Sequence, residues 1–420
     1  MKNRERDKIV ILELNEFEFG PGWQNKYPLF SNECPNNLYL SKTSPDEEVE
    51  FNGLDPWVQW PTIHNQVPTK VHGQLRHGSL GSKCATKKSI FKILESSNLS
   101  YIAWGIMNPS HSTRENILLA DPWSKSIISQ PIELEKFISP VRYLAENYHS
   151  PKYMSLAPKV INSLSYIFFK VKLKELLKAL YESFIIVLKA KKINSSVIFM
   201  LFENISMHLY KKFDQNRNIS FVFLNSAAHF QHNHRKDKST QKALDYFLAG
   251  IMRMLSTGNE NKNQEIAIIT ALTQKEASDV FVYNFYDGAK FLSDTLGINF
   301  QNLYIGMTSE LNFQIKDTND LKKIEQLKNI KVSSHNVFFV EINKERDYYQ
   351  VFIQATIDVD VKKKEAFKLG DKTAFFYEIF YPYRERVGVH IPVGYLLHKK
   401  KTTTLPNEGI MKFLLKDYLS

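Results

Sequence analysis

The chain has 420 residues, of which 43% are hydrophobic and 24% are charged, and this balance excludes a disordered or fibrous protein. Its formal net charge is +11, and its lysines are scattered along the sequence, which favours anionic partners such as phosphorylated substrates, acidic glycans or a phospholipid surface. The sequence contains no nucleic-acid-binding motif, so we expect no nucleic-acid partner.

Cysteine usage and the N-terminal segment bear on the compartment. Only Cys34 and Cys84 are present, which argues against a disulfide framework and for a reducing compartment. The apolar run at residues 9–12 is too short for the core of a secretion signal, and no run approaches the roughly 18 apolar residues of a membrane span. We therefore expect a cytoplasmic protein.

The first predicted element is a buried strand over residues 8–14, because nearly every residue in this run is apolar. Glu13, Asn15 and Glu16 stand at its carboxyl end, where open α/β sheets have their binding sites. These side chains are therefore candidates for a site. A solvated loop charge is the alternative for Glu16.

The second notable segment is rich in tryptophan and proline. A helix beginning at Pro56 or Pro61 would stack Trp60 and His64 one turn apart. Two tryptophans so close together, Trp57 and Trp60, are costly to leave exposed, so we expect them to pack beneath a pocket or to stack on a sugar ring.

A helix over residues 87–97 and a strand over 99–106 predict a βαβ unit, with residues 108–111 in the loop that follows the strand. Residues 157–214 then predict a helical hairpin inserted into the domain. Its first helix, over 170–192, is amphipathic with a basic face. Such a helix either packs over the core or lies against an anionic membrane.

A short apolar run at residues 219–224 predicts a strand that is buried on both faces of a parallel sheet. The polar cluster that follows it contains an amide, three imidazoles and a guanidinium, from Asn225, His229, His232, His234 and Arg235. Imidazoles at the carboxyl end of such a strand can bind a metal or transfer protons near neutral pH. This cluster is the most prominent candidate site in the sequence.

The rest of the chain continues the alternation of helices and strands. A helix over residues 240–255 precedes a buried strand over 265–270, and strands alternate with short helices over 291–374. A loop that contains Arg386 and His390 leads into the last short strand.

These elements predict an α/β fold, in which a doubly wound, mainly parallel sheet has helices on both faces. We expect one domain over residues 1–420 with two insertions. The first is the helical hairpin at 157–214, and the second is a small α+β subdomain at 291–374.

Four segments share their residue pattern, order and approximate spacing with one enzyme family: the strand ending at Asn15, residues 60–73, the pair Asn225 and His229, and residues 390–394. Together they resemble the alkaline phosphatase superfamily, in particular its type I phosphodiesterase and nucleotide pyrophosphatase branch. The resemblance implies a doubly wound α/β fold in which one or two metals polarise a phosphate or sulfate ester while a Thr, Ser or modified Cys attacks.

The sequence departs from the family pattern at positions that this chemistry uses. The nucleophile position falls on Pro56, which has no nucleophilic group, and residues 271–274 lack two ligands of one metal. Asn15 and Asn225 replace carboxylates by neutral amides, which bind divalent cations less strongly. We therefore expect a reduced site with one divalent metal, zinc or manganese, or with none.

The resemblance also implies a role for individual side chains. The metal ligands would be His229, His390 and Asn225, with an open position for water. The candidates for general base, nucleophile or replacement ligand are Glu13, Glu16, Asp55 and His64. The candidates for substrate binding are the amide, aromatic and cationic residues Asn15, Trp57, Trp60, His232, His234, Arg235 and Arg386.

Three hypotheses about function are consistent with these residues. The first is a hydrolase or transferase that acts on a phosphate or related ester, sugar-linked in surface-polysaccharide assembly. The second is a noncatalytic protein that binds glycan or lipid phosphates, and the third is a metal-free enzyme in which Asp55 or Glu13 is the nucleophile or base. We expect an anionic small molecule or glycan as the partner, with peripheral contact to the inner membrane through residues 170–192.

Overall fold

The computed structural model of the protein describes residues 8–46, 54–73, 88–107, 116–124, 128–147, 153–214, 217–256, 264–306, 309–369 and 372–419. The chain divides into two compact units. The first unit comprises Met1–Glu276 and Gly388–Ser420, and the second comprises Ala277–Val387. The predicted loop at residues 108–111 lies outside the described residues.

The elements up to the central strand are, in chain order, β1 (Lys8–Leu14), α1 (Trp23–Lys26), α2 (Pro28–Glu33), β2 (Tyr39–Ser44), α3 (Pro56–Asn65), α4 (Thr69–His72), α5 (Ile90–Ser96), β3 (Tyr101–Ile106), β4 (Ile117–Ala120), α6 (Leu134–Glu146), α7 (Tyr153–Lys170), α8 (Leu173–Ala190), α9 (Ser195–Phe213) and β5 (Ile219–Leu224). They are followed by α10 (Ser226–Asn233), α11 (Lys238–Ser256), β6 (Gln264–Thr270), β7 (Thr273–Phe285), α12 (Gly288–Lys290), a π-helical turn (Phe291–Thr295), β8 (Gln301–Ile305), β9 (Glu310–Ile315) and α13 (Thr318–Gln326). The last elements are β10 (Lys331–Val332), β11 (His335–Asn336), β12 (Phe338–Lys344), β13 (Tyr349–Ala355), β14 (Ala366–Leu369), β15 (Lys372–Phe375), α14 (Phe376–Ile379), β16 (Phe380–Ile391), β17 (Gly394–His398), β18 (Leu405–Pro406) and α15 (Ile410–Leu419), with short 3₁₀ turns at Leu327–Asn329 and Asn407–Gly409.

Eight strands of the first unit form one sheet in the order β18-β2-β17-β6-β1-β5-β3-β4. Seven of these strands are parallel, and β17 is antiparallel to its neighbours β2 and β6. Helices pack on both faces, α1, α2 and α6 to α11 on one and α3, α5 and α15 on the other. The predicted doubly wound, mainly parallel sheet is therefore confirmed.

The central strands β1 and β5 are buried along their whole length because both faces of the sheet are covered by helices. They pair in parallel with Leu14 opposite Leu224, and β6 lies on the other side of β1 with Ile269 opposite Glu13. The carboxyl ends of the three strands therefore meet at one edge of the sheet. Side chains that follow these strands are brought together at that edge.

The segment predicted as a helical hairpin contains three helices, because α7 precedes the predicted pair. The inner face of α8 is formed by Ala179, Ile186 and Ala190, which are buried. The Asn204 side-chain amide of α9 donates to the Ala179 carbonyl at 2.9 Å and joins the two helices. Within the described parts of the chain, none of the helices is both long enough and apolar enough to cross a membrane.

The second unit has its own core and a four-stranded antiparallel sheet in the order β12-β13-β9-β8. Apolar residues of the sheet, such as Phe313, Val351 and Ile353, pack with Ile324 of α13. This unit contains the segment 291–374, for which the sequence predicts an α+β insertion. The chain leaves the first unit along β7 and returns along β16, and these two strands pair with each other.

Candidate metal centre and adjoining pocket

Glu16 follows the central strand β1 and is the focus of the candidate site. Its side chain is only 3% exposed, and its backbone has a φ of 57°, in the left-handed region that residues other than glycine seldom adopt. Such a backbone conformation has an energetic cost, so the contacts around Glu16 must hold it in place. The turn at Glu16 thus directs a carboxylate to the carboxyl-terminal edge of the sheet.

Two imidazoles meet the Glu16 carboxylate. The Nε2 atom of His232, on α10, lies 2.8 Å from Oε2 of Glu16, and the Nε2 atom of His390, on β16, lies 3.1 Å from the same oxygen. The two rings are arranged edge to face with their centroids 5.2 Å apart. The candidate ligand atoms of the three residues all lie within 4.8 Å of one another. Among the residues that the structure describes, this is the group of side chains that can hold a metal ion.

The carboxylate and the imidazoles stabilise one another in their charged forms. Burial alone would raise the pKa of Glu16, but the charges of His232 and His390 and their hydrogen bonds outweigh it and hold that pKa well below its usual range. Burial likewise opposes the charged form of His390, but Glu16 and Asp55 together raise the pKa of this imidazole to about 9. Without a cation in the site, Glu16 is therefore ionised and His390 carries a proton at neutral pH.

A second set of side chains orients the three residues. Asp55, immediately before α3, lies with Oδ1 3.3 Å from Nδ1 of His390, on the side of the ring opposite to Glu16. A carboxylate in this position fixes the ring orientation of a metal-binding histidine. The side-chain amide of Gln274 donates to Oε2 of Glu16, and the side-chain amide of Asn15 donates to Oε1 at 3.3 Å.

The cluster fits a small divalent cation in the type and spacing of its donors. Zinc accepts histidine nitrogen and carboxylate oxygen at about 2.0–2.2 Å, which places tetrahedral ligands about 3.3 Å from one another. The observed nitrogen–oxygen separations of 2.8 and 3.1 Å are close to this value. Three protein ligands leave a fourth position open, as in catalytic zinc sites.

Gly388, two residues before His390, allows β16 to approach α10, and we expect Gly388→Ala to disturb the site. An added Cβ would lie 2.8 Å from the backbone oxygen of Gln231, next to His232, and would also overlap the Gln274 side chain. We expect a loss of about 1–3 kcal/mol in the free energy of unfolding, together with weaker metal affinity. Urea unfolding and metal titration would measure both effects. Gly250→Ala in α11 is the control, because its Cβ would meet nothing within 4 Å; an equal effect of both variants would contradict this expectation.

The two asparagines for which the resemblance implies metal-binding positions are bonded to each other. The side-chain amide of Asn15 donates to Oδ1 of Asn225 at 2.7 Å, and Oδ1 of Asn15 accepts from the Trp60 indole at 2.9 Å. His229, the third residue of that prediction, stacks on Phe199 of α9 with ring centroids 3.7 Å apart. The group of potential ligands therefore shares only His390 with the predicted set of His229, His390 and Asn225.

Glu13 and His64 form a buried pair beneath the site. Oε1 of Glu13 lies 2.9 Å from Nε2 of His64, and both side chains are almost fully buried. The His64 ring also stacks on Trp60, as the spacing along the helix predicts. The remaining atoms Oε2 of Glu13 and Nδ1 of His64 have no hydrogen-bond partner among the described residues. The pair thus has one internal contact and little access to solvent.

The other predicted substrate-binding residues have varied surroundings. Trp60 is fully buried, whereas Trp57 is half-buried and packs on the core of the α3 face. Arg235 pairs with Glu18 and donates to the Gln274 carbonyl at 3.3 Å, and His234 lies 3.3 Å from the Ser195 hydroxyl. The side chain of Arg386 lies outside what the structure describes.

A pocket opens at the carboxyl ends of β3, β4 and β5. Its walls are mainly apolar and aromatic, and its polar lining includes Asn225 and two carboxyl groups, Glu203 and Asp121. The aromatic lining residues are Trp104, Trp123, Phe199, Phe202 and Phe223. Because Asn225 is bonded to Asn15, which in turn contacts Glu16, one hydrogen-bond chain links the pocket to the candidate metal centre.

Glu203 closes one side of the pocket and caps α10. Its carboxylate accepts hydrogen bonds from the backbone N–H groups of Asn225 and Ser226, the latter at 3.1 Å. Burial raises the pKa of Glu203 to about 7, although these hydrogen bonds favour the ionised form. The helix that carries His232 is therefore held at its first turn by a carboxylate from α9.

Replacing Asp121 with asparagine is expected to increase stability at alkaline pH. Burial raises the pKa of Asp121 to about 7, and the Trp123 backbone N–H and the Arg142 charge offset only part of this effect. The folded protein therefore binds this proton more tightly than the unfolded chain. The contribution of Asp121 to stability is fully present below its unfolded pKa of 3.8 and is lost as the pH rises through about 7.

Urea unfolding of the wild type and of Asp121→Asn at about pH 5 and at about pH 8 would measure this effect. The variant retains a side-chain oxygen for the Trp123 N–H, which lies 2.9 Å from Oδ2 of Asp121. We expect the difference between the two proteins to shift in favour of the variant by on the order of 2–4 kcal/mol at the higher pH. If the difference in the free energy of unfolding between the two proteins does not change with pH, the pKa of Asp121 is not raised in the folded protein.

No family model and no curated protein matches the sequence. Among solved structures, the fold is similar to a murine ectonucleotide pyrophosphatase/phosphodiesterase 5, with a TM-score of 0.45 and 10% identity over 98% of this chain and 95% of that chain. It is also similar to a phosphonoacetate hydrolase from Sinorhizobium meliloti 1021, determined with phosphonoacetate, with a TM-score of 0.43 and 9% identity over 98% of this chain and 95% of that chain.

The sequence motifs at Asn15, residues 60–73, Asn225 and residues 390–394 carry the resemblance to the alkaline phosphatase superfamily. The motif residues have different contacts in the structure. His390 of the last motif contacts Glu16, whereas Asn15 and Asn225 contact each other.

Sequence reasoning overlooked three residues that surround the site. Gln274 contacts Glu16, Glu203 caps α10, and Asp121 lines the pocket. A signal for Glu203 was available, because this carboxylate interrupts the apolar face of an amphipathic helix. For Gln274, the sequence indicated only that this position lacks the metal ligand of the family pattern.

Proposed function

We propose that the protein is a hydrolase or transferase that acts on a phosphate or related ester at a single-metal site held by Glu16, His232 and His390. The observation that carries the proposal is the convergence of one buried carboxylate and two imidazoles at the carboxyl-terminal edge of the sheet, with Asp55 behind His390. The motif resemblance supports the reaction class. The net charge of +11 is consistent with an anionic substrate.

A bound divalent ion, zinc or manganese, would supply positive charge to the equatorial oxygens of the ester. Asp55 orients one of the ligands for this ion, His390. The Asp55 carboxylate accepts a hydrogen bond from the Nδ1–H group of His390, so the Nε2 atom is the one that faces the site. Because the pKa of His390 is raised to about 9, binding of the cation must release the Nε2 proton at neutral pH.

Asp55 is the residue that we assign to proton transfer from the attacking water. Its side chain is 17% exposed, compared with 3% for Glu16, 11% for His390 and 13% for His232, so it is the most accessible of the four. It stands directly before Pro56, the position at which the family pattern has its nucleophile. In this scheme water attacks phosphorus and Asp55 accepts a proton from it. The ester P–O bond breaks, the alcohol leaves after its oxygen takes up a proton from solvent, and Asp55 then returns its proton to solvent.

We assign the organic part of the ester to the aromatic pocket. Trp123 is half-buried at its wall, and aromatic rings of this kind stack on sugar rings or other flat apolar groups. Asn225 is shared by the pocket and the hydrogen-bond chain to Glu16, which supports one continuous site. A sugar-linked ester of the kind used in surface-polysaccharide assembly is the substrate class that we propose.

Elemental analysis of the untagged protein tests the metal part of the proposal, followed by assays with bis-nitrophenyl phosphate and a panel of sugar phosphates. We expect about one divalent ion per chain and turnover that a chelator removes. Asp55→Asn should lose turnover, because an amide accepts no proton. It should still bind the metal, with reduced affinity, because the asparagine oxygen can accept the hydrogen bond from Nδ1 of His390. Absence of any metal together with absence of turnover on all of these esters would refute the proposal.

A noncatalytic protein that binds glycan or lipid phosphates is the second candidate. It is favoured by Pro56 at the nucleophile position, because proline has no nucleophilic group. Isothermal titration calorimetry with sugar phosphates distinguishes the binding protein from the enzyme. Tight binding without turnover, unchanged in Asp55→Asn, would support the binding protein.

A further inference from the structure

A large apolar surface covers the outer faces of α7 and α8. More than half of the exposed large apolar side chains among the described residues lie between residues 154 and 198. We call this the helical surface and define it by the exposed apolar residues Met154, Val160, Ile161, Leu164, Phe168, Phe169, Leu173, Leu177, Leu180, Tyr181, Phe184, Leu188, Ile193 and Ile198. Exposed apolar side chains concentrated in one segment of a folded protein indicate an interaction site.

The apolar residues of α8 form one stripe along the helix. Leu173, Leu177, Leu180, Phe184 and Leu188 recur at intervals of three or four residues, and each is more than half exposed. The opposite side of the same helix is buried against α9 and α11. The stripe is therefore a second apolar face, and it has no role in the core of the first unit.

The charge around this face is strongly basic. Residues 153–198 contain eight lysines but only two acidic residues, Glu175 and Glu182. Both carboxylates point toward α9, where they contact the buried His208 at 3.1 and 2.8 Å. Lys170, Lys172 and Lys174, by contrast, are exposed at the junction of α7 and α8. Two of the eight lysines pair with carboxylates, Lys178 with Glu182 at 3.9 Å and Lys192 with Asp237 at 3.0 Å. The outer face thus combines exposed leucine and phenylalanine with an excess of positive charge.

We propose that the helical surface docks the protein on a bilayer containing anionic phospholipids, with α7 and α8 lying in the plane of the headgroups. Exposed apolar side chains would enter the acyl boundary while the lysines contact the phosphates. A second copy of the chain fits this surface less well. A symmetric dimer would bring the same basic face onto itself, and the like charges would repel.

Vesicle co-sedimentation tests the proposal with the full chain. We expect binding to phosphatidylcholine vesicles that contain phosphatidylglycerol, weak binding to phosphatidylcholine alone, and release at high salt. Lys172→Gln with Lys174→Gln should reduce the apparent affinity by about 25-fold, about fivefold for each lysine. Lys322→Gln with Lys328→Gln is the matched control, since these lysines are exposed in the second unit.

Leu177→Ser with Phe184→Ser tests the apolar contribution. These side chains are 57% and 58% exposed, so the fold should be retained, while vesicle affinity should fall by about tenfold or more for each change. Val71→Ser, at a residue that is 57% exposed on α4, is the control. In Leu177→Trp, the added fluorescence should shift to shorter wavelength with anionic vesicles, which reports insertion of this position.

Two results would overturn the proposal. The first is wild-type protein that binds anionic vesicles no better than zwitterionic ones, or that binds them equally after Leu177→Ser with Phe184→Ser. The second is a dimer in sedimentation velocity that these two changes convert to a monomer, which would assign the surface to a second copy. All of these measurements are made without substrate or metal, so they are independent of the proposed ester chemistry.

Discussion

Glu16→Gln is expected to lower ester turnover by about 10³-fold and to weaken metal binding severely. Glu16 is the only member of the group that contacts both imidazoles, and its carboxylate supplies the negative charge that a divalent cation requires. An amide of the same shape keeps the volume but removes this charge, so affinity for the cation falls. Several kcal/mol of charge stabilisation at the ester are lost with the ion, and each 1.36 kcal/mol corresponds to about tenfold in rate.

Metal content by elemental analysis and turnover of bis-nitrophenyl phosphate would measure these losses. Glu18→Gln is the matched control, because Glu18 lies two residues away and pairs with Arg235 and Lys26 rather than with the imidazoles. We expect the control to retain the metal and most of its activity. A Glu16→Gln protein that still contains one metal per chain and turns over at the wild-type rate would exclude Glu16 as a ligand.

Breaking the Glu13–His64 pair is expected to have the largest effect on stability. His64→Phe leaves the Glu13 carboxyl buried without its partner, and Glu13→Leu does the same to the imidazole. Loss of one member costs about 3 kcal/mol, because the remaining buried polar group loses both water and its hydrogen bond. Replacing both members with apolar groups of similar size removes the unpaired group and recovers much of this loss.

A double-mutant cycle of four proteins, each unfolded in urea, would measure the coupling between Glu13 and His64. We expect the double variant to be more stable than the sum of the single losses by about 2 kcal/mol or more. Because the sequence also suggests that Glu13 and His64 are catalytic, turnover of the double variant is the second measurement. Additive losses in stability, or complete loss of turnover in a well-folded double variant, would contradict a purely structural pair.

The central strands can be predicted from short stretches of sequence. The sequence predicts β1 at residues 8–14 and β5 at 219–224, and both are observed with these bounds. A run of apolar residues between polar ones is sufficient here, since a strand buried on both faces needs no periodic pattern. The helix predicted at residues 170–192 is observed as Leu173–Ala190. It is shorter because the backbone leaves the helical conformation at Lys172 and at Lys191.

The polar cluster after β5 was also evident in the sequence, but the choice among its imidazoles was not. His229 and His232 are both on α10, three residues and thus about 60° apart around the helix axis. The rotation of α10 about its axis decides which ring reaches Glu16. That rotation depends on packing against α9, where Phe199 stacks on His229 and Glu203 caps the first turn.

Runs of neighbouring residues are therefore sufficient for the class of fold, for the buried strands and for the edge of the sheet at which polar residues gather. The meeting of Glu16, His232 and His390 depends instead on folding, since they lie on three different elements from distant parts of the chain. The exposure of the outer stripe of α8 also depends on folding. An apolar stripe on a helix normally predicts burial, but among the described residues this stripe remains exposed.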